Sequence, residues 1–293
     1  MFIHRQELQH RASPDHPDAV YARKLQEVLG GQYGEITVAL QYQFQAWNMH
    51  MPGKYRDLVF GIGAEEMGHV EMLAVMIAQL LEKAPLGVSE SAVQDDPTVA
   101  AVVGGTDVQQ AIVAGAGSRA VDSNGNPWMG NYITASGNLL ADFQANANAE
   151  MQGRLQVARL YHMTDDHGVR DLLSFLLARD TMHQNQWIAA AAELQAEGVE
   201  MLPVPSNFPL DLEDRDVSYQ YINFSDGVQA SEGAWSSGET PDGHGEFSYV
   251  PAPGPGAPLP PPTHPDARFY GTTELPSVIE QAAGMAQDTF NTE

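Results

Sequence analysis

Apolar and polar positions along the 293-residue chain recur with a helical period over four long stretches. The first runs from about Pro17 to His50 and is broken at Gly30-Gly31, where paired glycines interrupt the pattern. The second spans about Lys54 to Glu82, with Leu58, Ile62, Leu73, Ile77 and Leu80 on one stripe, and stops before Ala84-Pro85. Residues 83–130 hold glycine, proline and turn clusters, among them G-G-T-D and D-S-N-G-N-P, and read as a long crossover with short elements. The third helix is predicted over about Thr134 to Met163. Thr164-Asp165-Asp166 then supplies a capping signal for the fourth, about 166 to 197, which ends at Gly198.

Beyond Pro203 the pattern is lost. Residues 201–293 are rich in Pro, Gly, Ser and Asp, and V-P-A-P-G-P-G-A-P-L-P-P-P at 250–262 excludes helix or central strand. Aromatics still recur there, at Phe208, Tyr219, Tyr221, Phe224, Trp235, Phe247 and Tyr249. This segment is therefore expected to be ordered by lying on the helices or on a neighbouring subunit. Two domains are predicted, a helical bundle over 1–200 and a wrapping segment over 201–293. Four helices with one long crossover between the second and third describe an all-α core of the ferritin-like four-helix type, followed by an extended, mostly irregular C-terminal segment.

The apolar stripes carry charge. On a 3.6-residue wheel Glu66 and His69 fall on the stripe of the second helix, whereas Glu65 and Glu71 point well away from it and are expected to face outward as ordinary solvated charges or to serve secondary roles. A carboxylate buried without a partner is costly, so Glu66 must meet a cation or keep a proton. The fourth helix repeats the arrangement, with Leu172, Leu176, Asp180, His183 and Trp187 on one stripe. Asp180-x-x-His183 thus echoes Glu66-x-x-His69. Each pair is preceded by a helix bearing one carboxylate in an apolar or small-residue pattern. Glu35 lies 31 residues before Glu66, and Glu150 lies 30 before Asp180. The chain therefore holds two copies of a helical hairpin with the same carboxylate, acid and histidine spacing. Ala141, Ala145, Ala147, Ala149 and Gly153 around Glu150 would let helices approach closely.

Composition narrows the chemistry. A net charge of −24 argues against a nucleic-acid partner, because phosphate binding needs a basic surface. The chain has no cysteine, which removes disulfides, thiolate metal sites and cysteine nucleophiles together. The N-terminus lacks the apolar core of a signal peptide, and no apolar run approaches the roughly 20 residues of a membrane span. A cytoplasmic protein is expected. Any metal must be held by oxygen and imidazole, which admits manganese, iron or zinc. Duplicated carboxylate and acid-x-x-His spacings match the dinuclear carboxylate bundles. Two metals bridged by carboxylate suit displacement or two-electron redox chemistry. Spacing alone supports a dinuclear manganese or iron protein and would count Asp180 among the ligands.

Several stretches carry a closer likeness. L-Q-E-V-L-G-G-Q-Y-G-E (25–35), A-E-E-M-G-H-V-E-M (64–72), S-G-N-L-L-A-D-F (136–143), R-L-Q-V-A-R-L-Y (154–161), F-L-L-A-R-D-T-M-H-Q (175–184) and N-F-S-D-G (223–227) resemble the manganese catalases, over roughly residues 1–230. The resemblance implies that Glu35, Glu66, His69, Glu150 and His183 bind two manganese ions per subunit. It makes Asp180 an outer-sphere group that moves protons for peroxide, where most members have glutamate, and Tyr42 a supporting tyrosine. The implied reaction is disproportionation of hydrogen peroxide to water and dioxygen. The resemblance further implies a homohexamer, with the C-terminal segment wrapping a neighbour. Two departures stand out. Ala149 occupies a position where relatives have an arginine paired with the outer-sphere glutamate. A calcium site found in some relatives maps to Asp57, Asn223, Ser225 and Gly227, but Gly61 replaces its second aspartate. Alternative functions for the same ligand pattern are a di-iron oxidase or ferroxidase, and a non-catalytic, coat-like metal-binding protein.

Overall fold

The computed structural model describes residues 3–51, 53–82, 112–252, 254, 256 and 258–260. Most of the predicted crossover and the end of the C-terminal segment lie outside the described residues. Five long helices are described: α1 (Ala19–Gly30), α2 (Glu35–Asn48), α3 (Gly53–Leu81), α4 (Leu139–Tyr161) and α5 (His167–Ala196). The first predicted helix is thus divided in two, and α2 packs on α3 as α4 packs on α5. The chain divides into two compact units, Met1–Phe208 and Pro209–Glu293.

Helix starts follow capping chemistry. The side chains of Asp18, Asn138 and Asp166 accept from the backbone N–H groups of Tyr21, Ala141 and Val169. α4 begins five residues later than the pattern predicts, because Gly137 takes a positive φ of 81° and Ser136 turns back to Asp142, donating to Oδ1 from both its N–H and its hydroxyl. α5 is followed by Gly198 at φ 64°, the left-handed residue expected past a helix C-terminus.

The break between α1 and α2 is built by close backbone approach. The described end of the crossover crosses here, with the Gln26 amide donating to the carbonyls of Arg119 and Val121 and the Trp128 indole to Thr37. A Cβ at Gly30 would lie 2.3 Å from the Val121 carbonyl oxygen. One at Gly34, the residue that starts α2, would lie 2.9 Å from backbone atoms of Val28 and Leu29. Gly34→Ala is therefore expected to destabilise the bundle by about 1–3 kcal/mol, read as a lowered urea midpoint for the metal-free protein. An unchanged midpoint would mean that the corner relaxes freely.

Two apolar clusters fill the bundle. One joins α1, the second half of α3 from Met72, α4 from Val157, and α5 up to Leu176. The other joins α2 from Val38, α3 up to Ile62, α4 up to Ala149, and α5 from Trp187. Between them α3, α4 and α5 each leave a gap, and the gaps hold chemistry: Glu66 and His69, then Glu150, then Asp180 and His183, with Glu35 at the start of α2.

The second unit is mostly irregular, as expected, with a few short regular elements. A short helix, α6 (Arg215–Ser218), precedes three strands, β1 (Gln220–Ile222), β2 (Gly238–Glu239) and β3 (Glu246–Val250). β3 is central, parallel to β1 and antiparallel to β2. Tyr221 and Tyr249 face each other across the parallel pair. Strands this short carry no readable periodicity, and Pro251 follows the last residue of β3. Among the described residues no helix is long and apolar enough to cross a membrane.

Candidate metal centre

Six of the predicted site residues meet in the polar gap at mid-bundle. Glu66, His69 and His183 are fully buried, and Glu35, Glu150 and Asp180 nearly so. Glu35 opens α2, Glu66 and His69 lie one turn apart on α3, Glu150 sits on α4, and Asp180 and His183 lie one turn apart on α5. Their ligand atoms form two groups, Glu35–Glu66–His69 and Glu66–Glu150–His183, within each of which the atoms lie within 4.8 Å of one another. Glu66 belongs to both. Asp180 belongs to neither, although its spacing to His183 copies that of Glu66 to His69.

These donors fit a pair of cations. Glu66 Oε2 lies 2.7 Å from His69 Nδ1, and its Oε1 lies 2.6 Å from His183 Nδ1. Neither contact has the geometry of a hydrogen bond, and all four atoms are buried without a hydrogen-bond partner. Glu35 Oε2 approaches the same His69 nitrogen at 3.6 Å. Lone pairs that converge without pairing are the mark of groups arranged around an ion. The donor set is all oxygen and imidazole nitrogen, suited to manganese, iron or zinc.

Burial and mutual repulsion favour the protonated forms of Glu35, Glu150 and Asp180. Burial, reinforced by the charge of Glu66, pushes Glu35 up to about 8. Burial also lifts Glu150 well above the carboxylate range, with Glu66 and Asp180 adding to it, and lifts Asp180 likewise, with Glu35 and Glu66 adding to it. Burial alone would raise Glu66, but His69 and His183 on either side outweigh it and hold Glu66 low. His183 is pushed up to about 9, because Glu66, Glu150 and Glu65 overcome the burial that would lower it.

Around the ligand atoms, Tyr42 donates from its hydroxyl to Glu150 Oε1 at 2.5 Å, and the Trp187 indole donates to the same oxygen at 3.3 Å. Ala149 is buried and brings no charge to this side. A cavity of about 110 Å³ lies beside α2 and α4, lined by Tyr33, Thr37, Gln41, Tyr132, Asn148 and Ala149.

Glu65 corrects the wheel. It is not a solvated charge: its side chain is only 19% exposed, and Oε2 lies 3.1 Å from His183 Nε2. Arg179 holds it with two donors, Nε to Oε1 at 2.6 Å and Nη2 to Oε2 at 3.2 Å, while Gln9 donates to Oε1 at 2.7 Å. The one available sequence signal was Arg179, the residue before Asp180, since a basic residue beside a buried acidic site calls for a partner. Glu71 does lie at the surface, paired with His4. Of the residues mapped to calcium, Asp57 is exposed on the first unit. In the second unit Asn223 Oδ1 accepts from Ser225 N–H, its amide donates to the Gly227 carbonyl and the Tyr249 hydroxyl, and Ser225 Oγ accepts from Gly227 N–H.

Comparison with known proteins agrees with this geometry. A family model described as manganese containing catalase matches residues 1–289. A manganese catalase of Bacillus subtilis is 56% identical over 250 residues, covering 85% of this chain and 90% of its own length. The manganese catalase of Lactiplantibacillus plantarum is 44% identical over 227 residues, covering 78% and 84%. Among solved structures, KatB, a manganese catalase from Anabaena, superposes with a TM-score of 0.67 at 27% identity, covering 86% of this chain and 100% of that one.

Proposed function

Because the chain belongs to the manganese-containing catalase family, we propose that Glu35, Glu66, His69, Glu150 and His183 hold its two manganese ions, with Glu66 reaching both. The protein is a catalase that disproportionates hydrogen peroxide to water and dioxygen. The observation that carries the ligand assignment is the pair of buried three-residue groups sharing Glu66. Bound there, manganese would supply two-electron redox chemistry.

The chain's own task is to hold the ions and manage protons. Oxidation of one peroxide releases two protons, and reduction of the next consumes two, so a group that stores a proton between the halves keeps them balanced. Asp180 suits that role as general base and then acid: it is buried beside the ligands, outside both groups, and burial, with Glu35 and Glu66 adding to it, lifts its carboxyl well above the ordinary aspartate range. Tyr42 and Trp187 orient Glu150 by donating to one of its oxygens. The two apolar clusters on either side keep bulk water from the remaining faces.

The direct test is metal analysis of protein purified without added metal, together with oxygen release from peroxide in the presence of azide. Manganese near two per chain with azide-resistant oxygen release is expected; equimolar iron without oxygen release would overturn the reading. Tyr42→Phe is expected to weaken manganese binding about tenfold, as loss of a ligand-orienting hydrogen bond does, measured by chelator competition. Unchanged affinity would reduce Tyr42 to packing.

Manganese uptake should also depend on pH. A ligand must shed its proton to bind a cation, and Glu35 and His183 in the metal-free cluster hold theirs up to about 8 and about 9. Affinity is therefore expected to rise as pH is raised from about 6 to 8, with protons released on loading. Calorimetry in buffers of different ionisation enthalpy reads that release, and proton-neutral uptake would contradict it.

The same reading includes a homohexamer in which residues 201–293 wrap a neighbouring subunit, calcium at Asp57, Asn223, Ser225 and Gly227, and a cytoplasmic location. These rest on the resemblance. Light scattering of the purified protein and calcium analysis after dialysis are the measurements for the first two.

A further inference from the structure

Glu65 and Glu66 are consecutive in sequence, yet they stand at opposite ends of the same two imidazoles. The rings of His69 and His183 lie nearly parallel, 22° apart with centroids 5.7 Å from each other. Their Nδ1 atoms face Glu66. Their Nε2 atoms face Glu65, at 3.1 Å for His183 and 3.8 Å for His69. An imidazole that ligates a cation through Nδ1 must carry its proton on Nε2, and an acceptor at Nε2 selects that tautomer and fixes the ring. Here one carboxylate accepts from His183 Nε2 and stands 3.8 Å from His69 Nε2, which makes no hydrogen bond of its own.

The carboxylate is itself fixed from two directions. Arg179 grips it with Nε and Nη2, the fork geometry that orients a carboxylate plane as well as balancing its charge. Gln9 comes from the N-terminal segment, which crosses α3 and α5 and is fastened there by His4 to Glu71 at 2.8 Å, His10 to Asp171 at 2.9 Å, and stacking of the His10 ring on Phe175. The segment thus reaches the metal centre through one hydrogen bond to Glu65.

We infer that Glu65, clamped by Arg179 and Gln9, is a positioning residue shared by the two manganese-ligating histidines, aligning His183 directly and His69 at longer range. This rests on the ligand assignment made above. The geometry is unequal, so the effect should be unequal too. With glutamine at 65 one oxygen becomes an NH2 group, which opposes either Arg179 or the His183 N–H. The ion on the Glu66–Glu150–His183 side should loosen more than the other.

The test uses Glu65→Gln in the manganese-loaded protein. Chelator competition is expected to remove one ion about 10–100-fold more readily than from the parent, the range for lost outer partners of metal-binding histidines. The spin-echo modulation from the imidazole nitrogen remote from Mn(II) should shift, while the melting curve of the metal-free protein stays in place. Parental affinity with an unshifted nitrogen signal would overturn the inference. So would a lowered metal-free melting temperature with the nitrogen signal unmoved, since that marks a purely structural contact. Should Glu65→Gln fold poorly, Arg179→Gln leaves the carboxylate in place and is expected to shift the same nitrogen signal to a smaller extent; no shift would again overturn it. Failure of the parent protein to take up two manganese ions would instead count against the ligand assignment itself.

Discussion

Glu66→Gln protein is expected to leave a manganese-saturated preparation with less than one ion per chain and no measurable oxygen release from peroxide. Glu66 is the residue common to both groups, and its two oxygens face the Nδ1 atoms of His69 and His183 without bonding to either. Glutamine keeps the volume but turns one oxygen into an NH2 group, which offers a cation no lone pair. It would also point a donor into a fully buried space built for a positive charge. Glu35→Gln should do less, because it touches one group alone, so one ion remains. Metal analysis against circular dichroism separates loss of metal from loss of fold. A Glu66→Gln protein that keeps both ions would show that another carboxylate joins them.

Asp180→Asn should give the opposite pattern, two ions retained with turnover reduced about 10²- to 10⁴-fold, the range for losing a general acid–base group. The argument is positional. Asp180 shares the polar gap with the ligands and is buried like them, yet its carboxylate belongs to neither group. Burial and the negative charges of Glu35 and Glu66 favour its protonated form, and Ala149 offers no counter-charge on the α4 side. Asparagine preserves the shape and cannot exchange a proton. Retained manganese with lost oxygen release supports the proton role; loss of one ion would show that Asp180 ligates after all, as its spacing to His183 suggested.

Much of the bundle is legible in the residue pattern. Helical periodicity places four long stretches to within a few residues, missing at α4 because Gly137 and the Asn138 cap delay its start. The paired glycines mark the corner that aims Glu35 inward. The small sheet of the second unit is not legible, because strands of two to five residues leave too few positions for alternation to show.

The sequence by itself determined which side chains face the bundle interior, since a helix must bury its apolar stripe and carries Glu66, His69, Asp180 and His183 along with it. The repeat of that spacing determined that the site would be double. Tertiary structure alone decided where each acid stands. Asp180 and Glu66 have the same spacing to a histidine, but only Glu66 stands where both groups converge. Glu65 sits off the stripe, and a wheel assigns one buried side to each helix. α3 is covered on more than one side, by the bundle helices and by the N-terminal segment, so a residue on its flank is enclosed between Arg179 and Gln9. Periodicity records the direction of burial along one helix; the neighbours that close over its flank come from residues 56 positions before and 114 after, and their arrival is a property of packing.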